Sequence, residues 1–258
     1  MRHLFGQTRA GWRMLRAIGC LCLFVAMAAV WSALAHQSPW RRRLELRFWR
    51  LLLNGFGIKA RVHGEPIAGA LLASNHISWI DIAALAGTCD ASFVAKAEVA
   101  SWPLIGALAG SHGCLFVERT RKIHARDHVL AASRQLERGR TLILFAEGTT
   151  SEGWDVLPFR SSLFQAVSGR VVQPVALAYR NPDGTAQNTM QRRVVAWVGD
   201  DALLPHALAL AARGGAMIDI WFGPPLRGQD RKVLANASRA AIRARLAAVD
   251  DQAATLKR

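Results

Sequence analysis

From residue 69 onward, short apolar runs alternate with stretches of helical length. Residues 69–73, 92–96, 114–117, 141–145, 171–178, 194–198 and 217–222 are apolar, bounded by polar or glycine-rich segments, and read as strands. Residues 79–86, 101–109 and 124–138 read as helices between them. Pro103 is tolerable in the first turn of the second, and Gly139 stops the third. The Ala- and Arg-rich stretch 231–248 reads as a terminal helix, and the polar segment 181–191 as an exposed loop. Strands separated by helical lengths imply an α/β fold: a mixed, largely parallel sheet flanked by helices. There is no internal repeat and no low-complexity tract.

Two apolar segments precede this alternation. Residues 17–35 carry no charge, and as a helix they would span about 28 Å, close to the hydrocarbon thickness of a bilayer. The run is long for a signal peptide, and Arg41-Arg42-Arg43 follows it in place of a clean cleavage site, so a retained N-terminal membrane helix is the expectation. Arg2, Arg9, Arg13 and Arg16 precede it, so basic residues at both ends leave its orientation open. In the second segment, 41–56, Arg43, Arg47, Arg50 and Asn54 form one polar stripe on a helix whose other positions are mostly Leu, Phe and Trp. That pattern suits an amphipathic basic segment in the membrane interface, and equally a core helix showing its Arg stripe to water. The pattern changes at Ile58-Lys59-Ala60-Arg61-Val62, so residues 1–57 are expected to anchor the chain and 58–258 to form the globular domain.

Composition narrows the partners. The 258 residues include 33 Lys and Arg against 18 Asp and Glu, a net charge of +15, which implies an anionic partner. A hydrophobic share of 52% with nine Trp favours a membrane surface over nucleic acid, for which no reader motif is present. Cys20, Cys22, Cys89 and Cys114 have neither metal-ligand nor disulfide-framework spacing, which fits a reducing compartment.

The chemistry concentrates where the strand 69–73 meets the helix 79–86. His76 and Asp81 are five residues apart; on one continuous helix that places them roughly 140° apart, unable to cooperate. With His76 in the turn and Asp81 in the first helical turn, imidazole and carboxylate can meet. A carboxylate on one ring nitrogen leaves the other free to take a proton. Ser78-x-x-Asp81 also reads as a capping box, which needs no chemistry. Three further stretches place polar residues at strand ends, where α/β proteins carry their sites. Residues 113–122 end in Arg119, Arg121 and Lys122, cations suited to a phosphate or carboxylate. Residues 145–153 hold Glu147, Gly148 and Thr149 in a glycine-containing turn, and 172–176 hold Pro174. Taken singly, each also reads as a solvated basic loop, an ordinary turn or a strand start.

In this order the four stretches resemble the four sequence blocks of the lysophospholipid acyltransferase family, whose signature is His-x4-Asp. Asn75, His76 and Asp81 match the first block; Gly113, Phe116 and Arg119 the second; Phe145, Glu147, Gly148, Thr149 and Ser151 the third; Pro174 and Val175 the last. Phe93 to Lys96 and Pro158-Phe159-Arg160 are similar to the family as well, and the likeness covers roughly residues 62–225. Ala146 stands where the family usually has Pro, and Thr150 where it commonly has Arg, a likely phosphate ligand.

The resemblance implies transfer of a fatty acyl chain from acyl-CoA or acyl carrier protein, with no resident cofactor or metal, to a lysolipid hydroxyl. His76 would be the general base and Asp81 its orienting partner. Arg119 and Lys122 would bind the acceptor head group, while Glu147, Gly148 and Thr149 would shape the acceptor pocket. Backbone N–H groups near the catalytic loop would stabilise the oxyanion. Lysophosphatidic acid is the first expected acceptor, and the Thr at 150 keeps a lyso-aminolipid such as lyso-ornithine lipid as the alternative. The expected location is the inner membrane, with the catalytic domain facing the cytoplasm. A serine hydrolase would need a Gly-x-Ser-x-Gly elbow, which does not occur. A basic, non-catalytic membrane-bound interaction protein explains the charge but not four polar blocks at strand ends.

Overall fold

Strands buried on both faces need no polar alternation, and the run leading to His76 shows none. The computed structural model describes residues 39–102, 113–118 and 125–255, with scattered positions between 11 and 26 and at 106, 109 and 110. In chain order the elements are α1 (Pro39–Gly55), β1 (Ile58–His63), β2 (Leu71–Ser74), α2 (Ile80–Ala86), β3 (Ser92–Lys96), β4 (Leu115–Val117), α3 (Ala125–Glu137), β5 (Leu142–Phe145), β6 (Val172–Arg180), α4 (Thr189–Val195), α5 (Leu203–Arg213), β7 (Ala216–Phe222) and α6 (Arg231–Thr255). Short 3-10 turns cover Ala97–Ser101 and Ser162–Val167.

The seven strands form one sheet in the order β1-β7-β6-β2-β5-β3-β4. Every neighbouring pair is parallel except β6 with β7. The mixed, largely parallel α/β sheet expected from the alternation is therefore present. On one face, α1, α2 and α5 pack against β2, β6 and β7 through Phe48, Leu52, Ile80, Leu85, Leu177, Leu210 and Ile218. On the other, α3, the 162–167 turn and α6 cover β2 and β5 through Leu136, Phe164, Leu71, Leu144 and Leu234. Ile242 and Val249 of α6 extend that cover to Ala176 and Trp221.

At the far side, the side chain of Asp219 on β7 is 1% exposed. It accepts from Arg61 Nε at 2.8 Å, His63 Nε2 at 3.0 Å and Arg180 Nε at 3.1 Å. Burial works against its charge, yet the bonds from Arg61 and His63 and the charges of Arg61 and Arg180 hold it below the usual carboxylate range. One buried anion thus ties β1 and β6 to β7.

Two expectations change. Residues 194–198 are not a strand. Asn188 opens α4 with a capping box, accepting from Gln191 N while the Gln191 side chain accepts from the Asn188 backbone. The β-branched Val194 and Val195 therefore end a helix, and α5 follows, an element the strand pattern did not indicate. Second, α1 is a core helix: Phe48, Trp49, Leu52, Leu53 and Phe56 are buried, whereas Arg43, Arg47, Arg50 and Asn54 are exposed. Its apolar face is continuous with Ile58 and the sheet, so an anchor at 1–57 set apart from a domain at 58–258 does not describe how α1 packs. No helix among the described residues is long and apolar enough to cross a membrane, and the expected membrane helix 17–35 lies largely outside the described residues. The same holds for most of the expected helix 101–109.

Candidate active site

β2 stops at Ser74 while β6 runs on beside it, which would leave buried backbone groups of β6 without partners. Asn75 meets that need with its side chain. Its carboxamide donates to Leu177 O at 3.0 Å and accepts from Leu177 N at 2.8 Å, so the ladder continues for one step without the main chain. The backbone is thereby free to turn, and His76 leaves the sheet at the C-terminal end of its central strand.

The backbone of His76 is held from the loop after β5. Glu147 is 3% exposed and accepts from His76 N with Oε1 at 2.7 Å and from Leu157 N with Oε2 at 2.9 Å. Ser151 N donates to His76 O at 2.9 Å. Gly148 makes this loop possible: at φ +78° it takes a conformation that side-chain-bearing residues disfavour, and its N–H donates to Phe145 O at 3.1 Å. Burial pushes the Glu147 carboxyl up to about 7, against the pull of its bonds from Leu157 and His76.

The ring of His76 lies flat on Phe145, centroids 3.8 Å apart and planes 11° apart. Asp81, in the first turn of α2, is 0% exposed and reaches back to it. Its Oδ2 accepts from His76 Nδ1 at 2.8 Å, Ile77 N at 2.7 Å and Ser78 N at 3.0 Å. Its Oδ1 accepts from the Tyr179 hydroxyl at 2.6 Å. The bond to Asp81 assigns the proton to Nδ1 and leaves Nε2 as the proton acceptor. The capping box is only half made: Ser78 N reaches Asp81, but Ser78 Oγ is buried with no partner among the described residues. Beyond that half-cap, Asp81 also accepts from His76 and Tyr179.

The structure thus brings together His76, Asp81, Glu147 and Gly148. Gly148 is buried behind the turn, Thr149 is exposed at its rim, and Thr150 is half-buried. Arg119 and Lys122 lie outside the described residues. Glu147 faces inward, both oxygens engaged by backbone N–H groups, so it braces the loop that carries His76. Sequence reasoning missed Tyr179. The expected strand stopped at residue 178, one short of it, although Tyr179 is the only tyrosine in the chain. Among the described residues no three His, Cys, Asp or Glu side chains group as a metal site.

A family model described as Acyltransferase matches residues 59–178. The chain is 35% identical to a lyso-ornithine lipid O-acyltransferase of Brucella abortus over 89% of this chain and 95% of that protein. It is 33% identical to a 1-acyl-sn-glycerol-3-phosphate acyltransferase of Neisseria meningitidis over 58% of this chain and 60% of that protein. The crystal structure of the 1-acyl-sn-glycerophosphate acyltransferase PlsC from Thermotoga maritima shares the fold, with a TM-score of 0.66 at 16% identity over 96% of this chain and 97% of that one.

Proposed function

The chain belongs to the lysophospholipid acyltransferase family, and from that premise we propose that it moves a fatty acyl chain from a thioester, acyl-CoA or acyl carrier protein, to the hydroxyl of a lyso-ornithine lipid. The observation that carries the mechanism is the 2.8 Å bond between His76 Nδ1 and Asp81. His76 Nε2 takes the proton of the acceptor hydroxyl as its oxygen attacks the thioester carbonyl. Asp81 holds the tautomer and stabilises the imidazolium that forms. When the tetrahedral intermediate collapses, the thiolate leaves and the proton on Nε2 is available to it. The acyl group passes directly to the acceptor, with His76 as base and no protein nucleophile between.

Two observations support the aminolipid acceptor. The likeness to the Brucella enzyme runs nearly the full length of both chains. Thr150 occupies the position where the family commonly carries Arg, and Glu152, half-buried, follows two residues later. An anionic side chain there suits a head group bearing an ammonium better than one bearing a phosphate alone. Lysophosphatidic acid is the second reading, favoured by Arg119, Arg121 and Lys122 in the second block and by the likeness to the Neisseria enzyme. The residues before α1 would keep the enzyme at the cytoplasmic face of the inner membrane.

The test is acyl transfer by the purified full chain to each acceptor at matched concentration, for wild type and Thr150→Arg. The aminolipid reading expects transfer to lyso-ornithine lipid and a loss of that activity in Thr150→Arg. Transfer to lysophosphatidic acid alone would replace it with the second reading.

A further inference from the structure

The Asp81 carboxylate has one oxygen crowded with donors and one that depends on a distant strand. Three donors, His76 Nδ1, Ile77 N and Ser78 N, converge on Oδ2. They fix where that oxygen lies, but a carboxylate held at one oxygen can still swing its plane. The direction of the lone pair toward Nδ1 then stays undefined. Among the described residues, the bond that Oδ1 accepts comes from the Tyr179 hydroxyl, at 2.6 Å. We propose that Tyr179 is the positioning residue of the dyad: its phenol sets the plane of the Asp81 carboxylate so that His76 presents Nε2 to the acceptor hydroxyl. The role rests on the reading of His76 as general base.

The placement of Tyr179 supports this. It lies two residues beyond Leu177 on β6, on the same face of the strand. Leu177 is itself locked to Asn75 by two hydrogen bonds, and Asn75 precedes His76. The strand therefore grips the catalytic loop at Asn75 and the catalytic carboxylate at Asp81, with one residue between the grips. Both groups are shut away from water, Tyr179 at 5% exposure and Asp81 at 0%. Bulk solvent therefore does not compete for the bond between them. The bond is charge-assisted, the stronger kind.

A tyrosine that merely filled space would affect folding, but its effect on turnover would not depend on Asp81. Tyr179→Phe removes one oxygen and keeps the ring. With the acyl-transfer assay, kcat is expected to fall about tenfold or more, the size of one charge-assisted bond. The apparent KM values for donor and acceptor should stay within about twofold, because Tyr179 touches neither. In an Asp81→Ala background the same substitution should change kcat by less than about twofold, since the group it acts through is gone. A wild-type kcat in Tyr179→Phe, or an equal fall in both backgrounds, would overturn the proposal. Because Tyr179 is the only tyrosine, growth on 3-fluorotyrosine labels it alone. Its 19F resonance should move on Asp81→Ala, and an unmoved resonance would contradict the contact even if Tyr179→Phe did not fold. The general-base reading fails differently, through His76→Ala with undiminished turnover, and the role of Tyr179 would fall with it.

Discussion

Asn75 and Leu177 exchange two hydrogen bonds between the end of β2 and the middle of β6, at 3.0 and 2.8 Å, although 102 residues separate them. A side chain here does the work of a strand backbone, and it does so one residue before His76. Asn75→Ala leaves the N–H and C=O of Leu177 buried without partners, at a cost of about 1–3 kcal/mol for each group. Asn75→Asp sets a carboxylate against the Leu177 carbonyl and is expected to be no better. Thermal melts of both variants should fall below wild type, with turnover reduced further than stability alone accounts for. A wild-type melt in Asn75→Ala would show that the bridge contributes nothing.

Glu147 offers two acceptors to two backbone donors, so an amide cannot replace it. In Glu147→Gln the amide NH2 faces either His76 N–H or Leu157 N–H, donor against donor. Loss of about 1.5–3 kcal/mol of stability is expected, together with a fall in kcat as His76 shifts. If Glu147 bound the acceptor directly, a raised acceptor KM with an unchanged melt would be seen instead.

The alkaline titration of Tyr179 can be read by absorbance, since no other tyrosine contributes. Burial, then the negative charge of Asp81 and the bond to it, raise its phenol well above the usual value near 10. A phenol that keeps its proton in the folded chain but loses it in the unfolded one favours the fold at low pH. That contribution is full below about pH 10 and is lost as pH rises toward the native ionisation. Native protein should show no tyrosinate where denatured protein shows it. Asp81→Asn should bring the native ionisation down. Ionisation at the denatured value in folded wild type would contradict the buried contact.

Deleting residues 1–57 removes Phe48, Trp49, Leu52, Leu53 and Phe56 from the core. At about 1.5–3 kcal/mol for each buried side chain, the loss is comparable with the whole stability of a domain, about 5–15 kcal/mol. The truncated chain should be insoluble or molten. A sharp, cooperative melt from it would mean that α1 is dispensable.

Much of this was legible in the sequence where the physics is local. Six of the seven expected strands formed within a few residues of their place, because buried parallel strands announce themselves as short apolar runs. His76 and Asp81 were legible because five residues and one turn suffice to join them. What was missed is what depends on pairing across the sheet. Tyr179 stands 98 residues from Asp81 and Glu147 71 residues from His76, and no local pattern states that they meet. Residues 194–198 have the β-branched run of a strand, but the capping box at Asn188 starts a helix that runs into them. For α1, the polar stripe was visible, but which medium its broad apolar face would meet was not.

The most direct measurement is the turnover of purified His76→Ala against wild type, with an acyl thioester as donor and lyso-ornithine lipid as acceptor, at matched melting temperature. Loss of a general base predicts a fall of about 10²–10⁴-fold in kcat, with the acceptor KM little changed. Turnover close to that of wild type would remove His76 from the chemistry and the account of the site with it.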